Sequence, residues 1–255
     1  MTTAVLLGLG LIGGFVSGLL GLGGAVLMVP LLLFVPQLFH VPALSMREVA
    51  GISIVQVFFS SLSAVISHWR HAHVNGTVVA WLGIPAGVAS LAGGILSAET
   101  TSHELEILFA IISTLAFFIM LRPLPKGTED DPSGPIQFSK PWAVVIALLV
   151  GGVGGMVGAP GAFIFVPLMI YVLKIPTRIT LGSALVIVLI GALSGLAGKV
   201  DTHQIVWGLA LPLVVGSVVG AQLGGVLSAR TPVPVLRWAL VLIIGVSTAK
   251  IWTGL

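Results

Sequence analysis

Cysteine is absent from the 255 residues, which excludes a disulfide framework, a thiol nucleophile and a thiolate metal site. Charge is scarce as well. Asp, Glu, Lys and Arg together make up 7% of the chain, against roughly 25% in an ordinary soluble domain. A water-soluble globule of this size would need far more charge to cover its surface, so a soluble enzyme and a disordered protein are excluded. No basic stripe with interleaved aromatics exists, so nucleic acid has no footprint. The formal net charge of +3 and a pI near 9.7 say little about partners. What the chain does have is apolar residues, 57% of the total, and a mean hydropathy of +1.17. These describe an all-α polytopic membrane protein with most of its mass in lipid.

A hydrocarbon core about 30 Å thick needs roughly 20 apolar residues per helix. Six stretches fit: 49–67, 78–97, 105–121, 179–198, 204–228 and 233–252. Two more, 4–35 and 142–173, are too long for one ordinary span, and a glycine cluster interrupts each. The start of the chain lacks the basic region of a cleavable signal peptide, so the first apolar run is expected to belong to the mature protein. The one long hydrophilic stretch, 123–140, is rich in Pro, Gly and charge. It divides the chain into a first transmembrane repeat (1–122), a linker (123–140) and a second transmembrane repeat (141–255).

The halves are related. Gly18, Gly21, Gly24, Ala25, Val29, Pro30 and Leu31 recur at one offset as Gly155, Gly158, Gly161, Ala162, Val166, Pro167 and Leu168. Further on, Ser53 falls near Ser183, Trp81 near Trp207, Pro85 near Pro212 and Gly93 near Gly220. Transporters are often built from such repeats, with the site where they meet.

Charge sidedness sets the arrangement. If each long first segment crosses once, Lys and Arg divide six to five, without bias. That leaves the alternative of eight single-crossing helices with parallel repeats. If each segment enters and returns, as a re-entrant hairpin or two short crossings, the division becomes eight to three. The positive-inside rule favours the second pattern. It implies inverted repeats, each with a Gly-broken first segment plus three transmembrane helices. The linker is then cytoplasmic and both termini lie outside.

Gly21, Gly23 and Gly24, and Gly158, Pro160 and Gly161, are poor residues for a membrane helix. Glycine there costs about 1 kcal/mol relative to Ala, and proline lacks the N–H. Irregular backbone at membrane depth is tolerated only against protein or a watery cavity. Each cluster should therefore open two half-helices, the second starting near Ala25 or Ala162. Its first N–H groups lack intrahelical partners and carry roughly half a positive charge, which suits an anion. Two such tips approaching the midplane from opposite sides sum to about one charge. The expected ligand is a small monoanion held by backbone N–H groups and hydroxyls; a dianion would be undercompensated unless a side chain from a loop reaches in. The same residue type reads differently elsewhere: Gly216, Gly220 and Gly224, and Gly14 with Gly18, are spaced by four for close helix packing.

The run from Gly18 to Leu31, its second copy from Gly155 to Leu168, and the eight-segment layout resemble the sulfite exporter TauE/SafE family over essentially the whole chain. The family commonly has a third glycine where this chain has Ala25. The resemblance implies transport of sulfite, sulfoacetate and related small sulfur-containing or organic anions across the bacterial plasma membrane.

Ser53 and Gln56 lie three apart on one face of the second segment, and Ser183 holds the matching repeat position. A buried amide and hydroxyls could donate to sulfonate oxygens; the plainer reading is interhelical hydrogen bonding, about 0.6 kcal/mol on average. Ser60, Ser61, Ser63 and Ser67 read mostly as packing or backbone-bonded. His68, His71 and His73 surround Trp69 and Arg70 at a helix end. The spacing could hold a metal or take up a proton, but Trp and Arg there are ordinary interface anchors. Gly8, Gly10 and Gly13 spell a dinucleotide fingerprint without the βαβ context it needs.

The expected function is a secondary transporter, an exporter of sulfite or small organosulfonate anions, in the inner membrane of a prokaryote. The alternative is an importer or permease for another small organic anion. A membrane-embedded enzyme would need a nucleophile and base at one depth, and only Ser and boundary His are available. Candidate substrate-binding residues are Gly21, Gly23, Gly24, Ala25, Ser53, Gln56, Gly158, Pro160, Gly161, Ala162 and Ser183. No cofactor, metal or catalytic residue is expected. The partners are the anion and membrane lipid; a homodimer is compatible with the sequence but not derivable from it.

Overall fold

The computed structural model describes residues 2–20, 25–39, 42–68, 74–121, 138–228, 231 and 233–254. Among them are ten helices: α1 (Thr2–Leu20), α2 (Ala25–Leu38), α3 (Met46–His68), α4 (Gly76–Leu96), α5 (Ser102–Leu121), α6 (Lys140–Val157), α7 (Ala162–Tyr171), α8 (Thr177–Asp201), α9 (Trp207–Ser228) and α10 (Val233–Trp252). Seven of them (α1, α3, α4, α5, α6, α8 and α9) contain an apolar stretch long enough to cross a membrane. Leu211, Val215, Val219, Leu223 and Val226 expose one stripe of α9 at helical spacing, the face that lipid would cover. The protein is a multi-pass, all-helical membrane protein.

The helix starts follow local chemistry. Ser45 and Glu48 form a reciprocal capping box on α3: Glu48 Oε2 accepts from Ser45 N–H and Oγ–H, both at 2.8 Å, and Ser45 Oγ accepts from Glu48 N–H at 3.3 Å. Thr101 and Glu104 repeat the arrangement on α5. Asn75 caps α4 by accepting from Val78 N–H at 3.1 Å.

The second long apolar run is broken between Val157 and Ala162, where α7 begins; in the first, α1 is described to Leu20 and α2 from Ala25. The arms are unequal, however. Helices α1 and α6 have 19 and 18 residues and are nearly full crossings rather than half-helices. Only the second arms are short, and the 10 residues of α7 cover about 15 Å, half the hydrocarbon core. The reason lies in the glycines of the first arms. Side chains added at Gly10, Gly14 and Gly18 would overlap the backbone of Leu213, Ser217 and Ala221, and those added at Gly216, Gly220 and Gly224 would overlap the backbone of α1. The four-residue glycine spacing thus seats α1 along α9, running the same way, over their whole length. Helix α6 lies along α4 in the same manner, with Gly151 on Ala86 and Gly155 on Ser90.

Helices α3 and α8 form the centre. The first turns of α3 meet the loop after α8, where Gly51 abuts the Gln204 carbonyl. The first turns of α8 meet the residue before α4, where Asn75 N–H donates to Ser183 Oγ at 3.1 Å. The two helices therefore run in opposite directions.

Candidate functional site

The second break is fully described. Gly158 ends α6 with φ 71°, and Ala159 N–H returns to the Gly154 carbonyl at 2.8 Å. Pro160 follows, without an N–H. Gly161 then adopts φ 76° and caps α7 with its backbone, its carbonyl accepting from Ile164 N–H at 2.9 Å and Phe165 N–H at 2.7 Å. Both angles lie in the left-handed region, where glycine alone is comfortable. The whole turn is buried. Ala162 and Phe163, at the start of α7, have N–H groups with no acceptor in their own helix.

The turn is clamped on two sides. A Cβ on Gly158 would overlap the backbone of Ala50, one turn into α3. A Cβ on Gly191, at the middle of α8, would come within 3.2 Å of the Pro160 ring. The path from Gly158 to Gly161 thus runs from the end of α6 back toward the middle of the molecule.

Of the first break, Gly21, Gly23 and Gly24 lie outside the described residues; α1 ends at Leu20 and α2 starts at Ala25. The approach to it is described. Ser17, one turn before that end, donates to Ser60 Oγ on α3 at 3.4 Å, and Gln56 Nε2 donates to the same oxygen at 3.4 Å. Ser60 passes its own proton to the Val57 carbonyl at 3.2 Å.

These contacts define one face of α3. Ala50 touches the second break, Ser60 is tied to the helix leading into the first, and Ser53 and Gln56 lie between them. The distance from Ala50 to Ser60 along the helix is about 15 Å. Ser53 and Gln56 are both fully buried, and Ser53 Oγ and Gln56 Oε1 have no hydrogen-bond partner. An unpaired buried polar group costs about 1–3 kcal/mol, so two on one face point to a missing ligand or water.

The remaining sequence candidates separate from this group. Ser183 is buried, but its hydroxyl is occupied by Asn75 N–H at the other end of the bundle. Helices α3 and α8 run oppositely, so Ser53 and Ser183, each in the second turn or so of its helix, fall at opposite ends. Residues 69–73, with Arg70, His71 and His73, and residues 122–137, which include most of the linker, lie outside the described residues.

Residues 6–251 match the profile of the sulfite exporter TauE/SafE family. The chain belongs to this family. A probable membrane transporter protein of Bacillus subtilis, YunE, is 28% identical over 264 residues, covering 95% of this chain and 96% of its own. A probable membrane transporter protein of Xylella fastidiosa is 27% identical, with 89% and 85% covered. The archaeal relative MJ0441 of Methanocaldococcus jannaschii, likewise named a probable membrane transporter protein, is 23% identical, with 87% and 86% covered. No solved structure matches significantly. The protein is a TauE/SafE-family membrane transporter.

Two features of this TauE/SafE chain are not evident in its sequence. Ser17 and Ser60 bind each other across helices, which no spacing rule announces. Lys199, which reads as an ordinary boundary residue at the end of α8, is fully buried.

Proposed function

We propose that this transporter moves sulfite or small organosulfonate anions out of a prokaryotic cell across the plasma membrane. The anion rests on the α3 face between the two broken segments. Ser53 Oγ–H and the amide of Gln56 donate to its oxygens from one side. The first N–H groups of α7, and by analogy those of α2, donate from the ends of the breaks. The amide orientation at Gln56 is interchangeable, and turning its NH2 into the gap offers two further donors. The single observation that carries this reading is the pair of fully buried, unpartnered oxygens of Ser53 and Gln56 on the α3 face between Ala50, which meets Gly158, and Ser60, which is bonded to Ser17.

The halves act as inverted repeats in this reading, with the linker cytoplasmic and the termini outside. Support comes from the exchange of helices between halves: α1 lies on α9 and α6 on α4, while α3 and α8 run oppositely. Each half thus lends its first helix to the other, an arrangement suited to rocking around a shared midplane site. The family's name supports the substrate class, and the relatives' names support transport alone.

The test is uptake into proteoliposomes of sulfite, sulfoacetate, taurine and sulfate, with Gly161→Leu alongside. Saturable movement of sulfite or a sulfonate, lost in the variant, is expected. Movement of a carboxylate in place of all four would transfer the reading to an importer or permease for another organic anion.

A further inference from the structure

The buried ammonium of Lys199 has no acidic partner. Its Nζ donates to Ser97 Oγ at 2.6 Å, the Met156 carbonyl at 3.0 Å and Gln204 Oε1 at 3.2 Å, all neutral. Arg47, at the start of α3, is close enough for its charge to oppose that of Lys199. Arg47 Nη2 donates to the Thr100 carbonyl at 2.6 Å, while its Nε is buried with no partner at all. Among the described residues no carboxylate pairs with either cation.

The acids at this end bond neither cation, and Glu106 lines a separate pocket with Gln37 and Ile251. Glu48 is bound to Ser45 and Glu104 to Thr101 in their capping boxes. Asp201 is exposed, and two residues from Lys199 along a helix it points to a different face. Glu99 and Glu104 line a cleft of about 530 Å³ together with Thr100 and Met156, the residues whose carbonyls hold Arg47 and Lys199. Two like charges are thus held together, mostly out of water, with an open donor between neutral acceptors. Burying uncompensated charge is expensive, and an anion is what removes the cost.

Their position ties them to the second break. Met156 is two residues before Gly158, and Arg47 is one turn before Ala50, on which Gly158 rests. We propose that Lys199 and Arg47 form a station for a small oxyanion at the Gln204 end of the protein, the outer end in the orientation above, to which the exported anion passes from the α3 face beside Gly158. The anion takes the open Arg47 Nε–H and replaces Ser97 or Gln204 on the ammonium. This rests on the anion-transport reading above, and it supplies a side-chain charge that backbone tips alone lack.

The test measures sulfite KM in vesicles of one orientation, separately from each side, for wild type, Lys199→Gln, Lys199→Arg and Arg47→Gln. Lys199→Gln and Arg47→Gln should raise KM about tenfold for sulfite presented at the Gln204 end, with KM from the opposite end unchanged and Lys199→Arg close to wild type. A purely structural tie between α4, α6 and α8 would move both sides or neither, and that result overturns the proposal. If Lys199→Gln fails to fold, half-buried Arg47→Gln decides alone. Wild type that moves no sulfite or sulfonate overturns the transport reading and the station together. Saturable wild-type transport with unaltered variants overturns the station only.

Discussion

Gly158 lies against the main chain of Ala50 so closely that no side chain fits between them, and its φ of 71° already excludes most residues. This contact fixes the end of α6 to the first turns of α3, and so places the second break beside the buried polar face.

Gly158→Ala should therefore be destabilising on two counts, the left-handed backbone and the overlap with Ala50. The backbone alone costs about 1–3 kcal/mol. The thermal unfolding midpoint in detergent is the measurement, and a clear fall is expected. A wild-type midpoint would show that the close approach does not exist.

The α1–α9 seam gives a second prediction. Gly14→Val and Gly220→Val should each lower stability and the yield of folded protein, because their added atoms meet backbone rather than a movable side chain. Gly8→Ala serves as the control. Nothing lies within 4 Å of its added Cβ, so it should be neutral or stabilising by up to about 1 kcal/mol.

Ser183→Ala separates the two equivalent serines. Its loss strands the Asn75 N–H at the start of α4 and should reduce stability by about 1 kcal/mol, with sulfite KM unchanged. A raised KM at full stability would place Ser183 at the ligand.

The second break was legible because Gly and Pro have unambiguous backbone consequences: Ala162 starts its helix where the cluster ends. The helix starts were less legible: the apolar runs start α3 and α5 about three residues late, because an apolar run does not register the capping boxes Ser45–Glu48 and Thr101–Glu104. The burial of Lys199 was not legible. A lysine in the last turn of an apolar helix normally reaches water, and its burial depends on Ser97 of α4 and Met156 of α6 arriving from elsewhere in the chain to join Gln204 of the following loop. The same holds for Ser17 and Ser60. Local pattern reports where a helix stops; which polar groups meet depends on how the helices exchange between halves.

The central claim is that the anion sits on the α3 face at Ser53 and Gln56, and saturable sulfite uptake by Ser53→Ala and Gln56→Leu tests it most directly. Ser53→Ala removes an unpaired hydroxyl, and Gln56→Leu removes an unpaired carbonyl oxygen together with the 3.4 Å bond from Nε2 to Ser60 Oγ, so stability should change little in either. The account predicts that KM rises about tenfold, roughly 1.4 kcal/mol of lost binding, at an unchanged unfolding midpoint. Ser61→Ala, whose hydroxyl bonds its own helix at the Phe58 carbonyl, should leave KM as it is. Wild-type KM in both Ser53→Ala and Gln56→Leu, with uptake still saturable, would contradict the claim and move the site off α3.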